Sequence, residues 1–363
     1  MIDEEYMRRA IELAHRGEGG ANPNPLVGAV IVKDGRIIGE GAHLKYGSLH
    51  AERNAIKDAK EKGHDLHGAT IYVTLEPCCH HGHQPPCTEA ILEEGISKVV
   101  IGSRDPNPLV HGKGAAFLKE HDVEVVEDFL KDECDDLNRV FFHYITTKTP
   151  YVVMKCAQSL DGKIATVTGE AKYISCEESR NKVMKMRNLY KGIMVGIGTV
   201  LADDPVLTCR LPEGGRNPVR IICDKNLRLP MESHIVKTAI DIPTIAACSD
   251  GMPDETIRPY EERGIRVLKC PLKDGEIDLY FLMKKLGEME IDGILLEGGG
   301  TLNASMLREG LVNEVQLFVC PVILGGRAKT IVEGDGVRHL AEAYHFSLKS
   351  VEKCGEDIHL TLV

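Results

Sequence analysis

Short apolar, β-branched runs alternate with amphipathic helical stretches along almost the whole chain, which restricts the fold to α/β layers with helices laid against a sheet. Residues 5 to 16 put Tyr6, Ala10, Leu13 and Ala14 on one helical face. Val27 to Val32 then reads as an apolar strand ending in the turn Lys33-Asp34-Gly35-Arg36, and Ile37-Ile38 completes a hairpin. Helix fits 50 to 62, strand fits 70 to 75 and helix fits 87 to 94. Lys98 to Ile101 is a short buried strand between Gly95 and Gly102. This succession predicts a three-layer α/β sandwich.

The polar stretch Thr146-Thr147-Lys148-Thr149-Pro150 interrupts the pattern, and Pro150 disfavours helix at the residue before it. The expected division is therefore 1–147 and 148–363. The second part predicts strands at 151–157, 192–197, 218–223, 243–248, 265–269, 292–296 and 314–319. It predicts helices at 177–190, 277–287 and 301–309, with a C-terminal hairpin near 345–362. A chain of 363 residues is in any case long for a single core.

Composition narrows the function. Forty-four basic against 55 acidic residues give a net charge of −11, which repels a polyanion unless a local groove overrides it, so no nucleic-acid partner is expected. No apolar run reaches membrane-spanning length and the start Met1-Ile2-Asp3-Glu4-Glu5 is acidic, so neither a membrane nor a secretory route is expected, and the compartment is read as cytoplasmic. Twelve cysteines in a reducing compartment are mostly buried apolar residues with a minority of metal ligands. Nine are scattered; Cys78, Cys79 and Cys87 crowd among His80, His81 and His83.

His50-Ala51-Glu52 opens one predicted helix, while Glu76-Pro77-Cys78-Cys79 and Cys87 sit at a strand-to-helix junction. The pair resembles the H-x-E…P-C-x-x-C signature of zinc deaminases. A catalytic zinc takes three protein ligands and keeps one open position, where water becomes acidic. His50, Cys78 and Cys87 supply the three, and Glu52 is the proton shuttle. A closed structural zinc site with Cys79 or His80 as fourth ligand is the bland alternative.

Eight residues separate Cys78 from Cys87, where nucleic-acid and cytidine deaminases have two. The form Glu-Pro-Cys-Cys-His-His-Gly-His-Gln-Pro-Pro-Cys resembles the deaminase of riboflavin biosynthesis. Pro23-Asn24-Pro25-Leu26-Val27-Gly28 and Arg104-Asp105-Pro106-Asn107-Pro108 resemble its two substrate loops. The resemblance extends over the whole chain and implies a cytidine-deaminase-like domain followed by a dihydrofolate-reductase-like domain. By position, Asn24, Asp105 and Asn107 face the pyrimidine and His80 and His83 the ribose phosphate, with His43 lining the site.

In the second part no G-x-G-x-x-G follows a strand, so a Rossmann domain is not expected. Gly298-Gly299-Gly300 does lie between an apolar strand and a helix, where backbone can approach a pyrophosphate. The resemblance implies NADPH, surrounded by Ala157, Tyr173, Thr199, Asp203, Gly299, Gly300, Thr301, Leu302, Asn303, Ala304 and Ser305. Lys225, after a strand end, is a candidate for the 2′-phosphate. Lys155, Ala171, Val206 and Glu297 would contact substrate, with Arg187 and Arg210 on its 5′-phosphate.

The implied chemistry is hydrolysis of the 2-amino group of a 2,5-diamino-6-(5-phosphoribosylamino)pyrimidinone, then reduction of the ribosyl chain to ribityl. The resemblance also implies a homo-oligomer, dimer or tetramer. Two rivals stay open: a tRNA or nucleoside deaminase fused to an unrelated domain, and a zinc-stabilised binding module without turnover.

Overall fold

The computed structural model describes residues 2–80, 85–107, 110–212 and 214–363. The chain forms two compact units, Met1–Lys148 and Thr149–Val363.

The first unit is built on a five-stranded sheet of order β2-β1-β3-β4-β5. Its strands are β1 (Gly28–Lys33), β2 (Arg36–Ala42), β3 (Thr70–Leu75), β4 (Lys98–Ser103) and β5 (Glu124–Val126). β1 runs antiparallel to β2 and β3; β3, β4 and β5 are mutually parallel. Side chains alternate across the sheet. Ala29, Ile31, Ile71, Val73, Val99 and Ile101 enter one core with residues of α2 (Ala51–Glu61), α3 (Cys87–Glu93) and α4 (Lys113–Glu120). Val30, Val32, Tyr72 and Val100 enter the other with Met7, Ala10 and Leu13 of α1 (Glu4–Ala14) and Cys134 of α5 (Lys131–Leu137). The unit closes with α6 (Arg139–Thr147). These are the three layers read from the sequence.

One contact fixes the helix that matters most. A Cβ on Gly41 would lie 2.2 Å from the Ala51 carbonyl oxygen, so only glycine in β2 lets the first turn of α2 lie on the sheet at that height.

The second unit carries a nine-stranded sheet of order β10-β9-β8-β7-β13-β6-β14-β16-β15. Its parallel strands are β6 (Tyr151–Ser159), β7 (Gly192–Gly196), β8 (Val219–Cys223), β9 (Thr244–Ser249), β10 (Ile265–Cys270), β13 (Gly293–Leu296) and β14 (Glu314–Cys320). β11 (Leu272–Lys273) and β12 (Glu276–Ile277) make a separate ribbon, and β15 (Leu348–Cys354) and β16 (Asp357–Leu362) the antiparallel C-terminal hairpin.

Helices cover both faces: α7 (Glu177–Leu189), α8 (Ile197–Asp203), α9 (His234–Lys237), α10 (Asp254–Glu261), α11 (Leu279–Glu288) and α12 (Gly300–Arg308). Met194, Ile221 and Ile294 pack toward α11 and α12, while Ile193, Val195 and Ile222 pack toward α8, α9 and α10.

Several elements escaped the periodicity reading. α5 buries only Cys134 in a run of acidic residues, and α10 buries only Ile257 and Tyr260 and contains Pro259. Ile197 was read as strand but opens α8, because Ile-Gly-Thr-Val has strand composition and only tertiary packing makes it helical.

Candidate active sites

Two helices aim their N-termini at one point in the first unit. His50 is the N-cap of α2 and Cys87 the first residue of α3, entered from Pro86. Cys78 follows β3 on the loop opposite. The His50 Nδ1 lies 3.5 Å from Cys78 Sγ and 3.4 Å from Cys87 Sγ. All three donor atoms fall within 4.8 Å of one another.

Zinc–sulfur bonds of about 2.3 Å and zinc–nitrogen bonds of about 2.0 Å imply a tetrahedral N···S edge of roughly 3.5 Å, so the donor set fits zinc in both type and spacing. Among the described residues neither Cys79 nor His80 joins the cage, so it offers three ligands. The Cys78 thiol is drawn down to about 4, first by its side-chain hydrogen bond with the Cys87 thiol and then by His50, and the Cys87 N–H, donating to Cys78 Sγ at 3.4 Å, adds to this.

Glu52 sits one step into α2, 3% exposed. Burial pushes its carboxyl upward and the Cys78 thiolate adds to that. The Nε and Nη2 of Arg53 donate to the carbonyls of Pro85 and Pro86 at 3.2 and 2.8 Å, which fastens the segment leading into Cys87.

His43 and Asn24 form the adjoining wall. The His43 ring meets the His50 ring edge-on with centroids 5.3 Å apart. Its Nδ1 donates to the Leu49 carbonyl at 3.1 Å, which leaves Nε2 to accept from Asn24 Nδ2 at 3.2 Å. Buried Asn138 holds this loop by accepting from the Leu26 N–H at 2.8 Å and donating to the Leu26 carbonyl at 2.9 Å.

Glu76, from the same motif as Cys78, has a task the sequence did not disclose. Its carboxylate is 4% exposed and accepts from the N–H groups of Gly112, Gly114, Ala115 and Asp105 at 2.9, 3.0, 3.2 and 3.4 Å. It therefore caps α4 and ties the Asp105–Asn107 loop to the strand end that carries Cys78. Asp105 is buried, its Oδ1 accepts from the Asn107 N–H at 2.8 Å, and burial pushes its carboxyl up to about 6.

In the second unit a cleft of about 850 Å³ opens at the carboxyl ends of β7, β8 and β13, the usual ligand position in an open parallel sheet. The glycine run has two separate reasons. A Cβ on Gly300 would lie 2.5 Å from Glu333 Cγ and 2.9 Å from the Thr330 carbonyl, whereas one on Gly299 would meet only Thr199 Oγ1, at 3.4 Å. Gly300 thus serves packing, and Gly299 keeps the mouth of α12 open.

Residues 1–103 match the family model described as cytidine and deoxycytidylate deaminase zinc-binding region, and residues 150–360 match the RibD C-terminal domain. Riboflavin biosynthesis protein RibD of Actinobacillus pleuropneumoniae is 53% identical over 365 residues, covering 100% of this chain and 96% of its own. The chain belongs to the RibD family. The RibD protein of Escherichia coli strain K12 is 38% identical over 375 residues, with both chains fully covered. Among solved structures, the diaminohydroxyphosphoribosylaminopyrimidine deaminase/5-amino-6-(5-phosphoribosylamino)uracil reductase of Thermotoga maritima superposes with a TM-score of 0.87 at 40% identity, covering 99% of this chain and 97% of its own. RibD of Acinetobacter baumannii gives 0.88 at 37%, covering 99% and 98%. An unrelated C-terminal domain, one of the rival readings, is excluded by the match over 150–360.

Against this RibD frame the residues singled out by sequence divide. His50, Glu52, Cys78, Cys87, Asn24 and His43 come together. His80 is half-buried, and its buried Nδ1 has no hydrogen-bond partner among the described residues. His83 lies outside the described residues.

Thr199, Asp203, Lys225, Gly299, Gly300, Thr301, Leu302 and Ser305 line the cleft, and so does Ala171, which was expected on the substrate side. Ala157, Tyr173, Asn303 and Ala304 do not line it. Asn303 turns inward and donates to the Ile331 carbonyl at 2.8 Å. Tyr173 is 73% exposed with the Arg180 guanidinium 4.7 Å over its ring.

Arg187 was expected on a phosphate. Its Nε and Nη2 instead donate to the two oxygens of Glu297 at 2.7 and 2.9 Å, and its Nη1 donates to the Thr208 carbonyl at 3.1 Å. Burial opposes the charge on Glu297, but Arg187, with Lys155 and Arg210 farther off, pulls its carboxyl below the ordinary value. Arg210 is exposed, and its Nη1 donates to Thr208 Oγ1 at 3.0 Å and more weakly to the Thr208 carbonyl at 3.4 Å. The carbonyl of Val206 accepts from fully buried Arg220 at 3.4 Å. Lys225 Nζ donates to the Gly275 carbonyl at 2.7 Å and Glu276 Oε1 at 2.9 Å.

Proposed function

We propose that this chain is a bifunctional enzyme of riboflavin biosynthesis, with its deaminase within 1–147 and its reductase within 148–363. The first site removes the 2-amino group of 2,5-diamino-6-(5-phosphoribosylamino)pyrimidin-4(3H)-one by hydrolysis. The second reduces the ribosyl side chain of the resulting uracil to ribityl with NADPH. The observation that carries this reading is the three-donor cage of His50, Cys78 and Cys87 with a buried carboxylate, Glu52, beside it.

His50, Cys78 and Cys87 would hold a zinc ion, which when bound would supply the Lewis acidity that brings water toward a pKa of about 7. Glu52 takes the proton from the attacking water and passes it to the departing nitrogen, so the C–N bond breaks as the C–O bond forms and ammonia leaves. Asn24, Asp105 and Asn107 hold the pyrimidine edge, His43 orients Asn24, and His80 serves the ribose phosphate.

In the reductase NADPH supplies the hydride. Gly299, Gly300 and Thr301 at the N-terminus of α12 would hold its pyrophosphate, with Thr199, Asp203, Leu302 and Ser305 lining the same cleft, and the hydride it would supply is the one that reduction at C1 of the opened ribose requires. Arg210 and Lys155 bind the substrate phosphate. Arg187, its fork spent on Glu297, orients that carboxylate. The protein works in the cytoplasm, in keeping with twelve cysteines and no disulfide among them, and acts as a homo-oligomer, dimer or tetramer, as the family resemblance implies.

The test is Glu52→Gln. Ammonia release should vanish while bound zinc and NADPH oxidation by the deaminated substrate stay unchanged; surviving deamination would remove Glu52 from the mechanism.

A further inference from the structure

The turn Ser159-Leu160-Asp161-Gly162-Lys163 at the end of β6 carries an acidic residue that takes no part in the cleft wall. Its carboxylate is nonetheless the centre of a hydrogen-bond cluster. Asp161 Oδ1 accepts from the Ser159 hydroxyl at 2.6 Å and from the Leu324 N–H at 3.0 Å, and Oδ2 accepts from the Gly325 N–H at 2.7 Å. Ser159 is itself fully buried, and its Oγ accepts from the Lys163 N–H at 2.9 Å. These donors, the Ser159 hydroxyl first, hold the Asp161 carboxyl down to about 2, so it is ionised at neutral pH.

The segment gripped in this way is not seated by apolar packing where it begins. None of residues 322–327 is buried, and Ile323 is 75% exposed. The Leu160 N–H joins the Val322 carbonyl at 2.8 Å, and Gly325 and Gly326 adopt φ +69° and +68°, a left-handed pair that lets the chain curl at the carboxylate. Beyond that corner the Ile164 N–H donates to the Lys329 carbonyl at 3.0 Å, and Lys163 bridges to Thr330. The same segment then meets α12. The Ile331 carbonyl accepts from Asn303, the Glu333 N–H donates to the Gly300 carbonyl at 3.1 Å, and the Thr330 carbonyl stands 2.9 Å from where a Gly300 Cβ would be. Ile164, Ala165, Lys329 and Glu333 all line the cleft.

Hydrogen bonds to an ionised acceptor are roughly twice as strong as neutral ones, so the carboxylate fixes a corner whose far end lies against the first turn of α12. We propose that Asp161 is a positioning residue of the reductase: by gripping the amides of Leu324 and Gly325 it seats residues 329–333 behind Gly300 and holds the mouth of α12 in the form that takes a dinucleotide. This rests on the reading of the cleft as the NADPH site. A mouth fixed before the cofactor arrives leaves less to be ordered on binding, so the effect falls on cofactor affinity rather than on hydride transfer.

The test uses the full chain, NADPH as the calorimetric probe, and amide hydrogen exchange of the free protein as a readout independent of turnover. Asp161→Asn keeps the shape of the side chain but gives up its charge and one acceptor oxygen. It should weaken NADPH binding about tenfold and raise KM for NADPH in parallel, with kcat of the reduction within about threefold and ammonia release within about twofold. In the free protein, exchange should quicken at 324–333 and also at Gly299–Thr301. Ser159→Ala, which removes one donor and leaves both backbone amides on the carboxylate, should give the same pattern at about threefold. Quickened exchange confined to 159–163 and 324–325, with NADPH affinity unchanged, would make Asp161 a local turn former and overturn the proposal. A fall in kcat at unchanged KM would overturn it as well. Failure of the unmodified chain to bind NADPH would sink the cofactor reading of the cleft itself, whereas tight binding that neither variant weakens would remove the positioning role alone.

Discussion

The two sites are built from different kinds of groups, and the difference is chemical. The deaminase cage is made of side chains that almost nothing else replaces: one imidazole and two thiolates, brought in by two short motifs at helix starts. The reductase cleft is made of strand ends, glycines and common polar residues drawn from β7, β8, β13 and the segments after them. A metal demands particular ligand types, and so marks its site in the residue alphabet. A dinucleotide is held largely by backbone and shape, which leave a much fainter trace.

The sharpest way to break this comparison is to remove a ligand. Cys87→Ser should empty the cage of zinc and lower ammonia release by on the order of 10³-fold or more, while NADPH oxidation by the deaminated substrate stays within about twofold. Metal content by atomic absorption and two separate assays check it. Retained zinc would mean that another donor replaces the thiolate, and the three-ligand picture would fall.

What escaped the sequence follows the same logic. The three-layer arrangement of the first unit was legible because its strands alternate cleanly and both faces are filled from helices of ordinary amphipathic pattern. The role of Glu76 was not, since its partners, Gly112, Gly114 and Ala115, are backbone amides that any residue except proline would offer. The phosphate role of Arg187 came from the family resemblance, and a basic residue on a helix does not reveal that Glu297, 110 positions later, lies against it. The resemblance carries Asn303 along with its neighbours 299–305, but a helix turns successive residues to different sides, and the Asn303 amide faces Cys156 and Ile331.

The Arg187–Glu297 pair offers a second test, now of stability. Both side chains are nearly buried, at 11% and 12% exposure, so removing one strands the other. Arg187→Met should cost the second unit about 3–5 kcal/mol, and the double change Arg187→Met with Glu297→Leu should recover most of that. Because Arg187 depresses the Glu297 carboxyl, the pair's contribution is present above the ordinary carboxyl range and lost as pH falls through the lowered value. Urea melts of the single and double variants, each at neutral pH and near pH 4, check both statements. A double variant as unstable as the single one would show that Glu297 is not the group left stranded.

The smallest effect concerns Asp105, where the first unit departs from its own legibility. The residue belongs to a recognised motif, yet its environment is hostile to charge: it is 7% exposed, burial pushes its carboxyl up to about 6, and Glu76 and Cys78 reinforce that against the Asn107 N–H and the His111 ring. Below pH ~4 the group is protonated whether the chain is folded or not, so it makes no difference there. As pH rises toward 6 the unfolded chain has already released the proton that the folded chain still holds, and stability is lost across that interval. A shift of about two units corresponds to roughly 2–3 kcal/mol at neutral pH. Asp105→Asn should therefore match the unmodified chain near pH 4 and exceed it at pH 7.5 by on the order of 2 kcal/mol in urea unfolding of the first unit, while KM for the pyrimidine rises. Parallel stability curves for the two proteins would mean that Asp105 is ionised without penalty. A gain in stability with a loss in substrate binding would mean that this carboxyl is kept for what it holds rather than for what it contributes to the fold.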